Sequence, residues 1–328
     1  MRMPVPETLP TTVLTGFLGS GKTTLLRRAL TSPALCDTAV IINEIGEIAI
    51  DHHLVDFVEG GVVELPGGCL CCAVREDLAR TLRALLDRRE TGEVRDFRRI
   101  VVETSGLADP VLDYRLHLAG VVTLVDAVQG ADTIDRFAEA ARQAALADTL
   151  IISKTDLTPL SPALIHRLDR VNDRASRLLA AEIGDPGTAL FTAAGGGVAT
   201  VSLSTEPVAV HTHGIDTFTV SLGSEISRLD FARALGGLAR SHGNDLLRVK
   251  GIVLFSDRPD RPAVVQAAQH AMFAPEWLDA WPSDWPTDPP GGRRPSRLVF
   301  VVHEIPRAEI LRHFAFAGAT LLNASADR

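Results

Sequence analysis

Cysteine is scarce in this sequence, with four residues among 328. So few thiols do not make a disulfide framework, and neighbouring thiols in a reducing compartment are better explained as metal ligands or redox groups. Three of the four stand together in the run GGCLCC, from Gly67 to Cys72. The fourth, Cys36, is expected to be a buried and inert thiol.

Long apolar runs are also missing. The first residues, MRMPVPETLPTTVLTG, contain no apolar core of about 7–15 residues followed by a cleavage site. No later run reaches membrane-spanning length. We therefore expect a cytoplasmic protein that has no membrane partner.

A concentrated basic surface is absent as well. The formal net charge is −8, and the arginine pairs are scattered along the chain, so no basic footprint for nucleic acid is indicated. Hydrophobic residues make up 46% and charged residues 23% of the chain. These proportions are ordinary for a folded globular protein.

The order of apolar runs predicts an α/β architecture. The predicted strands are TTVLT at 11, TAVII at 38, RRIVVE at 98, VVTLVD at 121, TLIIS at 149 and ALFT at 189. The segments 74–90 and 133–147 have helical spacing and are predicted crossover helices. Because the strands read as nearly continuous apolar runs, we expect a mostly parallel central sheet that is covered on both faces.

The pattern changes near three consecutive glycines, which predicts a second domain. We expect a first domain of this α/β type over residues 1–194, a linker over 195–214 and a smaller α+β C-terminal domain over 215–328. In that domain the predicted strands are LLRVKGIVLF, PAVVQAAQH and SRLVFVVHEI, and the predicted helices are DFARALGGLARSH and PRAEILRHFAFAG. A tryptophan-rich segment, 275–295, is expected to be an ordered surface loop.

The run GFLGSGKTT has the spacing G-x-x-x-x-G-K-[ST], follows an apolar strand and opens a helical stretch. Glycines there allow backbone N–H groups to face phosphate oxygens, and the helix N-terminus adds about half a positive charge. Lys22 is expected to reach the β- and γ-phosphates, and Thr23 to offer its hydroxyl to Mg²⁺. The predicted nucleotide-binding residues are Gly16, Gly19, Ser20, Gly21, Lys22, Thr23 and Thr24.

The segment SKTD, from Ser153 to Asp156, follows the strand TLIIS and is the candidate base-reading loop. Asp156 can accept hydrogen bonds from N1–H and the exocyclic amine of guanine, while the stem of Lys154 covers the base. Adenine lacks that pair of donors, so GTP is favoured over ATP. Ser153 departs from the usual N-K-x-D pattern and is expected to weaken contact with the O6 and N7 edge.

The segment ETSG follows the strand RRIVVE. It places Glu103 where an acidic group is needed near Mg²⁺, and Gly106 where a backbone N–H can meet the γ-phosphate. An ordinary acidic strand end is the alternative explanation for Glu103.

Five segments in this order carry a family resemblance: GFLGSGKTTLL, NEIGEIAID, GGCLCC, ETSGLADP and SKTDL. With them the sequence resembles the CobW-type metallochaperone GTPases, which are similar to the P-loop GTPases that insert nickel into hydrogenase and urease. The resemblance extends through the second domain. It implies a GTPase that binds zinc, cobalt or a similar ion and hands it to a client protein, with no particular client or oligomeric state indicated.

Cys69, Cys71 and Cys72 can supply three thiolates to one soft ion, a set that suits Zn²⁺ and also Co²⁺. Glu44, Glu47, His52 or a water are alternatives for the fourth ligand. A closed structural zinc site and a C-x-x-C redox pair are the competing explanations, and neither spacing is present.

For hydrolysis, Lys22 and Mg²⁺ are expected to stabilise charge on the transferring phosphoryl group, with Glu103 holding Mg²⁺ or its water. Glu44 and Glu47 are the candidates for orienting the attacking water. Two rival functions stay open: a P-loop kinase for a small molecule, and a zinc-binding adaptor in which the nucleotide is structural. The kinase would need a lid with several basic residues.

Overall fold

The computed structural model describes residues 8–43, 56–58, 62–64, 70–73, 78–104, 115–195, 213–268, 271–283, 285–287 and 294–322. For the short strands between residues 56 and 73 the description is limited to the backbone. The chain divides into two compact units, one of residues 1–167 with 175–196 and one of residues 168–174 with 197–328. No helix among the described residues has both the length and the apolar character needed to cross a bilayer.

The first unit is built on a sheet of nine strands. They are β1 (Leu9–Gly16), β2 (Thr38–Asn43), β3 (Asp56–Val58), β4 (Val62–Glu64), β5 (Leu70–Ala73), β6 (Arg99–Thr104), β7 (Leu116–Asp126), β8 (Thr149–Ser153) and β9 (Ser176–Leu179). Their order across the sheet is β3-β4-β5-β2-β6-β1-β7-β8-β9. The seven strands from β5 to β9 in this order run parallel, and β3 and β4 add an antiparallel edge. The predicted mostly parallel sheet is confirmed.

Helices and short turns lie between these strands. They are α1 (Lys22–Leu30), a 3₁₀ turn (Pro33–Leu35), α2 (Leu78–Glu90), α3 (Gly130–Arg136), α4 (Ala138–Leu146), α5 (Pro162–Val171) and α6 (Pro186–Gly195). Alternate residues of β2 enter different cores: Val40 and Ile42 pack with α1 and α6, whereas Ala39 and Ile41 pack with α2. Since both faces are covered, the strands read as continuous apolar runs.

Three expectations about the first unit are wrong. The run ALFT at 189 lies in α6, because Asp185 accepts hydrogen bonds from the N–H groups of Gly187 (3.1 Å) and Thr188 (3.3 Å) and starts a helix there. The helix expected over 133–147 is interrupted at Phe137, which adopts an extended conformation. Cys36 is exposed rather than buried.

The second unit contains an antiparallel sheet whose strands are β10 (Ile215–Leu222), β11 (Arg248–Val253), β12 (Ala263–Ala268), β13 (Ala271–Met272), β14 (Glu276–Trp277), β15 (Ser296–His303) and β16 (Ala319–Leu321). Its helices are α7 (Arg228–His242) and α8 (Arg307–His313), followed by a 3₁₀ turn (Ala315–Ala317). The predicted strands and helices of this unit are confirmed. Both helices pack on one face of the sheet around Phe300 and Phe314, and Trp285 packs on the other with Ile252 and Val264.

Candidate functional site

The phosphate loop, Gly16–Thr24, connects β1 to α1 in a conformation that requires glycine. Gly16 has a φ of 144°, and a Cβ there would lie 2.6 Å from the carbonyl oxygen of Leu124. Gly21 has a φ of 96° and directly precedes α1, whose first turn contains no acidic residue. The first N–H groups of α1, a nine-residue helix, face this loop. The N-terminal end of the helix therefore attracts an anion.

Lys22 folds back over the phosphate loop. It is 3% exposed, and Nζ donates to the carbonyl oxygens of Gly16 (2.7 Å) and Phe17 (3.4 Å). These contacts hold a buried ammonium group against the loop. The arrangement provides a positive charge beside the N-terminus of α1, as phosphate binding requires.

The base loop, Ser153–Asp156, touches the phosphate loop directly. The hydroxyl of Ser153 donates to the carbonyl oxygen of Ser20 over 2.6 Å, and Ser153 is 7% exposed at the end of β8. A Cβ at Gly21 would lie 3.7 Å from that of Ser153. Two segments 133 residues apart in sequence are thus in contact at the carboxyl edge of the sheet.

Asp126 belongs to the same site, although sequence reasoning assigned it no role. It ends β7 beside Ser153 in the parallel register, and its Oδ2 lies 2.5 Å from Nζ of Lys154. The other carboxylate oxygen, Oδ1, accepts hydrogen bonds from the N–H groups of Val128 (2.7 Å) and Gln129 (3.3 Å). The available signal was its position, since an acidic residue that ends a buried parallel strand faces the ligand edge of the sheet.

The remaining predicted residues of this site differ in exposure. Thr24, Gly19 and Asp156 are exposed, and Thr23 is half-buried in the first turn of α1. Glu103 is 1% exposed near the end of β6, where it pairs with Leu14 of β1 and Ile42 of β2. The hydroxyl of Thr23 and the carboxylate of Glu103 both offer oxygen atoms, the type of ligand that suits Mg²⁺.

The predicted metal and switch residues are only partly described. Glu44, Glu47, His52, Cys69 and Gly106 lie outside the described residues. Within the part of the chain that is described, no group of three or more metal-ligating side chains comes together.

For Cys71 and Cys72 the backbone position is known, because both belong to β5. Cys72 pairs with Ile41 of β2, which pairs with Val102 of β6, the residue before Glu103. Two strand spacings, about 10 Å, therefore separate this backbone from that of β6. The backbone of Cys72 and that of Glu103 therefore lie in the same sheet, close to its carboxyl edge.

A cavity of about 270 Å³ lies beside the phosphate loop, between β7, α3 and α4. Phe17 of the loop stacks on Phe137 with ring centroids 4.7 Å apart, and both residues line the cavity. The break between α3 and α4 therefore falls at the residue that contacts the loop. This contact connects the phosphate loop to the helices after β7.

The fold and site define a P-loop nucleotide-binding unit of the parallel α/β class joined to a separate antiparallel α+β unit. Residues 10–179 match the nucleotide-binding domain described as CobW/HypB/UreG, and residues 215–317 match the C-terminal domain of the cobalamin synthesis protein cobW. The chain belongs to this CobW family. The resemblance inferred from the sequence motifs is confirmed.

Similar proteins match this chain along almost their whole length. The chain is 32% identical to "Zinc chaperone YjiA" of Escherichia coli over 93% of this chain and 97% of that protein. It is 30% identical to "Zinc chaperone CobW" of a Sinorhizobium species over 92% and 95% of the two chains. The crystal structure of Zn(II)-bound YjiA GTPase from E. coli aligns with a TM-score of 0.65 and 30% identity, covering 94% of this chain and 99% of that one.

Proposed function

We propose that this protein is a GTP-hydrolysing metallochaperone that binds zinc through Cys69, Cys71 and Cys72 and delivers it to a metal-dependent client protein. The observation that carries the proposal is the contact between the base loop and the phosphate loop at one edge of the parallel sheet. The relatives named as zinc chaperones and the Zn(II)-bound GTPase of similar structure support zinc as the ion. Cobalt is the alternative ion for the same thiolates.

Guanine is read by Asp156. Its exposed carboxylate can accept from N1–H and from the 2-amino group of guanine, which adenine lacks. Lys154 is held by Asp126, so its stem has a fixed direction beside the base. A base loop attached to the phosphate loop places both contacts at a set distance from the phosphates.

Hydrolysis depends on charge placed around the terminal phosphate. The ammonium group of Lys22 and the N–H groups at the start of α1 stabilise the negative charge of the transferring phosphoryl group. Thr23 and Glu103 are the residues that would hold Mg²⁺, which supplies further charge neutralisation at the phosphates. Gly106 is the proposed γ-phosphate contact, and Glu44 and Glu47 are the candidates for orienting water.

Zinc release requires a change at the thiolate site. A closed zinc site contributes about 10–16 kcal/mol, which is too much for ready transfer. If GTP orders the segment from Asn43 to Glu47 and that segment supplies a ligand, hydrolysis removes the ligand. A difference of about 5.5 kcal/mol in zinc-binding free energy between the GTP and GDP states is enough to change the ratio of occupied to empty thiolate sites from 99:1 to 1:99.

The proposed setting is the cytoplasm, with a metal-requiring protein as the partner and neither nucleic acid nor membrane involved. A net charge of −8 supports the exclusion of nucleic acid. The reducing compartment keeps the thiols available for zinc.

The test uses the full-length protein with two readouts, zinc bound per chain and phosphate released from GTP. We expect the wild type to retain a stoichiometric zinc ion and the triple variant Cys69→Ser, Cys71→Ser, Cys72→Ser to lose it. Cys36→Ser is the matched control, because Cys36 is an exposed cysteine outside the GGCLCC run, and it should retain zinc. A triple variant that binds zinc as tightly as the wild type would contradict the proposed site.

Phosphate release from GTP without any added acceptor separates a GTPase from a small-molecule kinase. A Lys22→Ala protein that delivers zinc to a client at the full wild-type level would instead support the adaptor function.

A further inference from the structure

We infer that Ser153 is a positioning residue that couples the base loop to the phosphate loop, so that the guanine preference of Asp156 depends on a hydroxyl that does not touch the base. This inference rests on the proposed function, because it concerns how the same nucleotide site selects its base. Ser153 then does not make a weak contact with the base. It links the base loop to the loop that binds the phosphates.

The hydroxyl of Ser153 is already committed within the protein. A serine has one O–H donor, and here it points to the carbonyl oxygen of Ser20 at 2.6 Å, with the carbonyl oxygen of Val125 farther away at 3.4 Å. The residue is 7% exposed. A buried side chain whose single hydrogen is used in this way has no donor left for the purine edge.

This hydrogen bond matters because its acceptor belongs to the phosphate loop. The carbonyl group of Ser20 belongs to the phosphate loop, two residues before Lys22, whose ammonium group is bonded to Gly16 in the same loop. A displacement of the base loop would therefore have to break a bond to the segment that carries the phosphate contacts. A nucleotide bound at one of these two loops therefore affects the geometry of the other through this hydrogen bond.

The backbone turns directly after Ser153, at Lys154. Lys154 has a φ of 58°, a left-handed conformation that non-glycine residues adopt in only a few per cent of cases. The chain turns sharply there and then reaches Asp156, with Ser153 attached before the turn and the Lys154 side chain attached to Asp126. Removing the hydroxyl releases one of the two attachments that set the direction of Asp156.

The experiment compares the affinities of full-length protein for GDP and for IDP, whose base lacks the 2-amino group that Asp156 is proposed to bind. We expect the wild type to prefer GDP, and Ser153→Ala to reduce the GDP:IDP ratio about threefold to tenfold, the range that one hydrogen bond produces. A variant that merely weakens the whole site would lower both affinities and leave the ratio unchanged. Thermal unfolding of each variant checks that the fold is retained.

Thr155→Val is the matched control. The hydroxyl of Thr155 lies in the same loop and makes no hydrogen bond to any described residue, so this variant should keep the wild-type ratio. In an Asp156→Ala background the ratio should already be lost, and adding Ser153→Ala should not lower it further.

The GDP and IDP affinities distinguish a failure of the proposed function from a failure of the coupling role of Ser153. A wild type that binds GDP and IDP equally would contradict guanine reading by Asp156 and hence the proposed function. A wild type that prefers GDP while Ser153→Ala keeps the same ratio would overturn the coupling role of Ser153 and leave the proposed function intact.

Discussion

The ammonium group of Lys154 lies 2.5 Å from Oδ2 of Asp126, a carboxylate at the end of the neighbouring strand. The side chain of Asp126 is 12% exposed and that of Lys154 is 35% exposed, so the pair is only partly screened by water. Asp126 is bonded through Oδ1 to the backbone of the following turn and cannot rotate freely. The direction of Lys154 is therefore set by a residue that does not belong to the base loop.

Asp126→Asn should weaken nucleotide binding. Asparagine keeps an oxygen for the N–H groups of the turn and removes the negative charge that holds Lys154. We expect the affinity for GDP to fall about threefold to tenfold, with the loss reduced at high salt because the ion pair is partly exposed. Asp132→Asn, which removes an exposed carboxylate from nearby α3, is the control. Equal GDP affinity in Asp126→Asn and the wild type would show that the ion pair does not position Lys154.

Lys22→Ala should abolish tight nucleotide binding. The ammonium group is held at the phosphate loop by two carbonyl groups, and a hydrogen bond from this charged group to a phosphate oxygen would contribute about 1.5–3 kcal/mol. We expect the affinity for GTP to fall at least 10- to 100-fold, measured by equilibrium titration with a fluorescent analogue. Arg28→Ala removes an exposed cation from the same helix and should have little effect. Similar losses in both variants would indicate a general charge effect.

Asp156→Asn should change the preferred base. The carboxylate accepts two N–H groups of guanine, whereas an asparagine amide accepts one and donates one. Xanthine has N1–H and a carbonyl oxygen at C2, so it matches asparagine. We expect GTP affinity to fall and XTP affinity to rise, each by 10-fold or more, the effect of about 1.4 kcal/mol. If GTP and XTP affinities in this variant match those of the wild type, Asp156 does not face the base.

The pKa of His313 is expected to lie below its usual value of about 6.5, because burial, and then the charges of His242 and Arg312, disfavour the imidazolium form. The carboxylate of Glu309 lies 3.7 Å from Nε2 of His313 and is shared with Arg312. A depressed pKa means that the unfolded chain takes up the proton first as the pH falls. Its contribution to stability is therefore complete above pH ~6.5 and is lost as the pH falls through the lowered pKa.

An NMR titration of the full-length protein measures the pKa of His313 directly, with His313→Asn identifying the resonance. The same variant should show a smaller loss of stability between neutral and mildly acidic pH. A measured pKa above the usual value would contradict the burial argument.

The positions of the segments Gly16–Thr24 and Ser153–Asp156 at strand ends could be predicted because each has a local signature. The glycine spacing requires a specific turn, and the strand and helix on either side of Gly16–Thr24 have distinct apolar periods. The loop that begins at Ser153 lies at a strand end, where parallel sheets bind ligands.

Other features could not be read from local sequence. The run ALFT has the length and composition of a strand, and a short apolar run does not distinguish a strand from a buried helix. Its helix is set by Asp185, which lies just before it, and by Pro186, which is its first residue. Asp126 contacts Lys154 and Ser153 contacts Ser20, and both partners are far away in sequence. Local residue spacing does not predict such contacts.

Nucleotide control of zinc binding is tested most directly by measuring zinc affinity by competition with a chelator at fixed pH, in the presence of Mg²⁺ and either a non-hydrolysable GTP analogue or GDP. We expect zinc to be held more tightly in the triphosphate state, by about 5- to 150-fold, the usual range of coupling between two sites. By reciprocity, zinc must then favour the GTP analogue over GDP by the same factor. Equal zinc affinity in the two nucleotide states would contradict nucleotide-controlled metal delivery.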